Sequence, residues 1–316
     1  MNLFQNGFRR GVNLGGWMSQ CDYSEERLNG FIQEDDFKII ADWGLDHVRL
    51  PVDCDVIQRP DGSMTEAGLA RIDRALQWCE NNGLNMVLDL HKAQGYSFAA
   101  DERQSFFTEE RFQESFYTVW ETFARRYGVY TGRIIFDLLN EVTDRSYLEA
   151  WQRIAAECTR RIRQAAPEVP VLLGSYNYNG VREVLELNTP GDDRTAYNFH
   201  CYLPFHFTHQ CAPWIDDPEL HRQVTFAQSG TSPEFFEELF AGTLAKAEGE
   251  NIPLYCGEYG VIDTVSTAEA IRWFAAIHPV FEKHGIGRAV WNYRQMDFGL
   301  SDPRWDSMRK ELLKVL

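Results

Sequence analysis

Two glutamates, each closing a short apolar run, are the residues through which this sequence could do chemistry. Glu141 stands near the end of Arg133–Val142 (R-I-I-F-D-L-L-N-E-V), where six of ten residues are apolar. That run is too short for an independent helix and reads as a strand buried on both faces. Glu258 ends a similar stretch, Ile252–Val261, which contains P-L-Y-C-G-E-Y-G. A carboxylate at the tip of a buried strand costs free energy unless it is hydrogen-bonded or used, because desolvation disfavours its charge. Two carboxyl groups brought face to face are what cleavage of a glycosidic bond requires.

The elements that must position them alternate along the chain. A short strand and glycine turn at Gly11–Trp17 is followed by a helix over Gln33–Trp43, then Gly44 and H-V-R-L-P-V. The same order of helix, glycine and strand recurs at Glu66–Asn82 with Gly83, and at Thr267–His284 with Gly285. Glycine just past a helix end supplies the left-handed cap that other residues adopt only at a cost. Further helices are expected over Glu109–Tyr127, Ser146–Ala166, Ser232–Ala247 (Ser232 as N-cap, Pro233 in the first turn) and Pro303–Lys314. Strands are expected at Val169–Asn177, Thr195–Tyr202 and Ala289–Tyr293. Eight strands, apolar throughout and separated by helices, predict an all-parallel sheet covered on its faces, and eight is the number that closes a (β/α)8 TIM barrel. No linker, charge run or low-complexity segment divides the chain, so residues 1–316 are expected to form a single catalytic domain.

Composition narrows the partner. Lys plus Arg is 31 against 47 for Asp plus Glu, a formal charge of -16, which argues against a nucleic-acid or anionic-membrane partner. Aromatic residues make up 14% of the chain, enough to fill a core and still line a cleft with flat rings. The 7 cysteines are odd in number with no C-x-x-C pair, so neither a disulfide framework nor a structural zinc site is expected. Cys201 and Cys256 fall in strand-like runs, as small buried thiols would. The N-terminus lacks the apolar core of a signal peptide and no run approaches a membrane span, so the expected location is cytoplasmic.

On this topology the C-terminal strand ends gather Arg49, His91, Asn140 with Glu141, His200 with Tyr202, Glu258 and Trp291. Each has a structural reading when taken alone: Arg49 pairing with Asp46 or Asp53, His91 capping a strand, Trp291 as core. Their coincidence at strand ends is the functional signal. The long connections Lys92–Thr108 and Leu203–Thr231 follow strands and are expected to wall the cleft, with Tyr96, Phe205 and Trp214 as wall aromatics. Trp214 either packs under its own loop or offers a platform to a sugar.

The motifs V-R-L-P, D-L-H, L-N-E, F-H-C-Y, C-G-E-Y-G and A-V-W-N-Y together resemble glycoside hydrolase family 5, the clan A (β/α)8 retaining hydrolases. The opening G-V-N-L-G-G-W and the ending V-W-N-Y-R-Q-M-D-F are similar to the clostridial β-glucanases of that family that lack an export signal. The resemblance spans essentially the whole chain. It implies Glu141 as acid/base and Glu258 as nucleophile, with Arg49 and Tyr202 holding Glu258 and His200 near Glu141. It further implies that Asn140 bonds the sugar 2-hydroxyl, that His91 contacts the same ring and that Trp291 stacks beneath it. The implied reaction is retaining, endo-acting cleavage of β-1,4 or mixed β-1,3-1,4 glucan without metal or cofactor, with carboxyl groups about 5 Å apart. Many members carry a second histidine where this chain has Lys92.

Other readings remain open at this stage. An exo-acting β-glucosidase, a β-1,3-glucanase and a β-mannanase share the same catalytic set. Outside the class stand a metal-dependent barrel hydrolase, using His91, Glu141, His200 and Glu258 as ligands, and a barrel that binds glycans without cleaving them. No H-x-H at a strand end supports the metal site.

Overall fold

The computed structural model describes residues 7–99 and 104–316; residues 1–6 of the N-terminal stretch and 100–103 of the Lys92–Thr108 connection lie outside that description. Eight parallel strands close into a barrel in sequence order: β1 (Arg10–Asn13), β2 (His47–Asp53), β3 (Asn85–Lys92), β4 (Ile134–Asp137), β5 (Val171–Gly174), β6 (Thr195–Cys201), β7 (Leu254–Tyr259) and β8 (Gly287–Val290). The expected (β/α)8 architecture is therefore the observed one. Helices Glu34–Asp42, Glu66–Asn81, Glu110–Tyr127, Leu148–Ala165, Pro233–Glu250 and Thr267–His284 form the outer ring. Ser232 caps its helix by accepting from the Phe235 N–H, and Gly285 ends the last long helix at φ 64°.

Two expectations about the connections need correction. β5 and β6 are joined by a short turn at Tyr176–Asn179 and a 3-10 turn at Glu183–Glu186, with no long helix between them. Within that turn Asn177, Tyr178 and Asn179 all hold left-handed backbone, which makes it compact enough to replace a helix. The final segment is a 3-10 turn, Pro303–Trp305, and a separate one-turn helix, Arg309–Leu312, since Asp306, Ser307 and Met308 intervene. The Leu203–Thr231 connection carries two one-turn helices, Phe205–Thr208 and Phe226–Ser229.

The strands are also not apolar throughout. Their outward residues pack against the helices in one large apolar cluster, as a covered sheet requires. Their inward residues form two layers of different chemistry. Towards the N-terminal end, Val87, Ile135, Leu172, Ala196, Tyr255 and Ala289 pack with Phe8 as a separate apolar plug. Two residues further along the strands the set is polar: Asn13, Arg49, Asp89, Asp137 and Asn198, all fully buried. A period of two hides such a set inside runs that look uniformly apolar. Among the described residues no helix is long and apolar enough to cross a membrane. Cys201 and Cys256 are buried free thiols.

Candidate active site

Arg49 is the hub of the polar layer. Its Nη1 donates to Glu258 Oε1 at 2.9 Å and to Asn13 Oδ1 at 3.0 Å, while Nε donates to Asp137 Oδ2 at 2.9 Å. Its Nη2 reaches Asn140 Oδ1 and Asp89 Oδ2, both at 3.1 Å. Neither Asp46 nor Asp53 is its partner: Asp46 binds His47 and Asp53 binds Tyr23. One buried cation thus serves three buried carboxylates. Burial raises both Asp89 and Asp137 to about 7, with Arg49 pulling each back down.

The two glutamates stand in different surroundings. Glu258 lies on β7, opposite His200 of β6, with one extra residue, Gly257, inserted on the β7 side. Such a bulge re-aims the side chain that follows it. Gly257 is needed there, because a Cβ would sit 2.8 Å from Asn198 Oδ1 and 2.9 Å from His200 Nε2. Glu258 Oε2 accepts from the Tyr202 hydroxyl at 2.9 Å, so both of its oxygens are held. Burial raises its pKa, while Arg49 and the Tyr202 hydrogen bond oppose the rise.

Glu141 was expected at a strand end, but β4 stops at Asp137 and residues 138–141 continue as irregular chain. That segment is fixed by the Asn140 N–H to Leu90 O bond at 3.1 Å and by the Tyr96 hydroxyl on the Glu141 carbonyl. The Glu141 side chain is 13% exposed against 6% for Glu258, so it lies nearer the opening. Its only neighbour at hydrogen-bond distance among the described residues is His200, whose Nδ1 is 2.8 Å from Oε1. Burial, and next the negative charge of Glu258, drive its carboxyl well above the usual range. Of the two groups, Glu141 is the one that keeps its proton. His200 is pushed far below the ordinary histidine range by burial and by Arg49, so it is neutral.

One oxygen of each carboxyl and one ring nitrogen of His200 lie within 4.8 Å of one another. So close an approach of single oxygens fits carboxyl groups at the retaining separation of about 5 to 5.5 Å better than at the inverting one of about 6.5 Å or more. The same three groups are spaced to ligate a metal ion. The Arg49 guanidinium, 2.9 Å from Glu258, sets a fixed positive charge against a cation there.

The remaining expected residues also meet at this face. His91 is the extra residue of a second bulge, between Leu90 and Lys92 on β3. It is buried, with Nδ1 2.7 Å from Asp89 Oδ2 and its ring stacked on Trp291 at 5.8 Å and 4°. Trp291, just after β8, fits against Gly15, where any Cβ would clash with the indole. Tyr96 is buried and supports Glu141, so it is not a wall. Trp214 does not pack under its own loop: it is 53% exposed, edge-on to His209 at 6.3 Å. Phe205 stacks on the same imidazole at 4.1 Å, and His209 abuts Tyr202. Lys92 faces Asp55 at 3.7 Å. Sequence reasoning passed over Asn13, Asp89, Asp137 and Asn198, although Asp89 and Asn198 precede His91 and His200 by two and so share their inward face.

An eight-stranded barrel with a carboxyl pair at this spacing on its C-terminal face is the build of an O-glycosyl hydrolase. Residues 6–297 match the family model of cellulase, glycosyl hydrolase family 5, and the chain belongs to that family. It is a β-glucan hydrolase of the retaining type that the family uses. Cellodextrinase A of Ruminococcus flavefaciens is 52% identical over 287 residues, which cover 90% of this chain and 85% of that protein. Endoglucanase C of Acetivibrio thermocellus is 35% identical over 336 residues, 98% of each chain. A mutant form of Thermotoga maritima Cel5A, solved with cellobiose, shares the fold at a TM-score of 0.84, with 22% identity over 100% of this chain and 99% of that one.

Proposed function

We propose that the protein cleaves internal β-1,4 bonds of soluble glucan and cellodextrin chains, with Glu258 as nucleophile and Glu141 as acid/base. The observation that carries this is the contrast between the two carboxyls. Arg49 and Tyr202 hold both oxygens of Glu258, which favours the anion, while Glu141 is desolvated beside that anion and holds its proton. Glu258 attacks the anomeric carbon as Glu141 protonates the departing oxygen. Water, deprotonated by Glu141, then releases the glycosyl ester.

The other residues take supporting roles. Asn140, oriented by Arg49, bonds the 2-hydroxyl of the glycone sugar, and Trp291 floors that ring beside His91. His200 neighbours both carboxyls and steadies the Glu141 proton. Phe205 and Trp214 offer exposed rings for further sugars of the chain. A cellodextrinase among the relatives favours short soluble chains over crystalline material.

The test has two parts. Product analysis on carboxymethyl-cellulose, barley mixed-linkage glucan, laminarin and mannan should give oligosaccharide ladders from the β-1,4-containing glucans. Release of glucose alone from chain ends would end the endo reading. Glu258→Ala with azide should yield the inverted glycosyl azide, and Glu141→Ala the β-azide; near wild-type hydrolysis by either variant would overturn the role assignment.

A further inference from the structure

Past β1 the chain stays buried as far as Ser19, joined to β2 through a Met18–Val52 bridge, and then comes to the surface at Gln20. Gln20 is exposed, yet its backbone holds φ 51°, a left-handed conformation that a side chain with a Cβ adopts at a cost. The surroundings enforce it. The Gln20 N–H donates to Asp53 Oδ2 at 2.8 Å, and the same oxygen accepts from the Tyr23 hydroxyl at 2.7 Å. Asp53 is itself buried and tied back by its N–H to Met18 O at 2.8 Å. The outcome is an exposed carboxamide turned inward, with Oε1 3.2 Å from His91 Nε2.

His91 cannot swing to meet it. Asp89 fixes its Nδ1, Trp291 covers one face and the Phe98 ring meets its edge at 5.1 Å. A chain of polar contacts therefore runs from Gln20 through His91, Asp89 and Arg49 to Glu258.

We propose that Gln20 is a specificity-determining residue on the glycone side of the cleft, its carboxamide and His91 Nε2 together reading one hydroxyl of the sugar that lies on Trp291. The proposal rests on the reading of that site as the glycone subsite. Its chemistry follows from the protons. Burial pulls His91 down to about 4, so it is neutral; with its Nδ1 proton given to Asp89, Nε2 presents a lone pair. A half-turn of the Gln20 amide brings its NH2 beside that lone pair, where an arriving hydroxyl takes the amide's place by donating to Nε2 and accepting from the freed NH2. One lone pair beside one amide suits a neutral hydroxyl that both donates and accepts. An anionic or cationic substituent would find no counter-charge in this pair.

The test uses the full chain, 4-nitrophenyl β-cellobioside and its 3-deoxy and 6-deoxy analogues modified on the sugar next to the nitrophenyl group. Gln20→Gly removes the carboxamide and also relaxes the left-handed backbone, so its melting temperature should equal or exceed that of the wild type. It should nonetheless lose about 10- to 100-fold in kcat/KM on the parent, the scale of losing one hydroxyl's hydrogen bonds. On one of the two deoxy analogues the substitution should cost nothing further. A loss of equal size on all three substrates, or no loss on the parent, overturns the role of Gln20. A wild-type enzyme inert on the parent overturns the glucanase reading and this proposal with it.

Discussion

At the scale of single residues, the site is governed by how one negative charge acts on its neighbour. Glu258 raises the pKa of Glu141 second only to burial itself. Replacing Glu258 by Gln removes that charge while keeping shape, so the Glu141 carboxyl should titrate at lower pH than in the wild type. Carbon-13 NMR of the labelled carboxyl would show the shift; an unchanged or raised value would mean that burial alone sets the proton. The sign also orders the activity profile. Activity on the acid side is lost as Glu258 takes up a proton, and on the alkaline side as Glu141 gives one up. Glu141, Glu258 and Arg49 were legible in the sequence because carboxylates and a guanidinium in buried runs demand a reason. Their partners Asp89 and Asp137 were not, since neither stands at the end of its run.

At the scale of elements, the two bulges do the aiming. Gly257 on β7 and His91 on β3 are each the residue left over when their strand pairs with a neighbour. Gly257→Ala should shift the bulge and Glu258 with it, because neither the Asn198 amide, bonded to Asp137, nor the buried His200 ring has room to retreat from the new methyl group. We expect kcat to fall by about 100-fold, the scale of a 1 Å misplacement of catalytic groups. KM should change far less and the far-ultraviolet circular dichroism should stay native. Equal kcat for variant and wild type would show that the bulge is incidental. Helix positions were readable from their periodicity and caps, Ser232 and Gly285 above all. Bulges leave no such trace, since one inserted residue changes pairing without changing pattern. The Tyr176–Asn179 turn was hidden for a related reason: its left-handed residues are asparagines and a tyrosine, while the glycine that follows, Gly180, holds a negative φ.

At the scale of the whole molecule, the buried ring links stability to pH. Asp89 and Asp137 sit at about 7 in the folded protein against 3.8 for an unperturbed aspartate. Between those values the folded state binds more protons than the unfolded one. The stability these groups contribute is full below about pH 4 and is lost as pH rises through about 7. Asp89→Asn cannot titrate, so its melting temperature relative to wild type should rise between pH 5 and pH 8, whatever its offset from lost bonds. A difference that falls over that interval would contradict the assignment. The barrel itself was legible because eight repeats of one alternation leave few other folds. The cleft's outer walls were not, as the loops that carry Tyr96 and Trp214 have no period from which to infer where a ring will point.

The apolar plug of Phe8, Val87, Ile135, Leu172, Ala196, Tyr255 and Ala289 has a further effect on the polar layer above it. It floors the barrel with apolar side chains, the Tyr255 hydroxyl lying 2.6 Å from His47 Nε2. A floor of low polarity leaves the charges of Arg49, Asp89 and Asp137 poorly screened from one another, so a change in any one of them is felt by the nucleophile above.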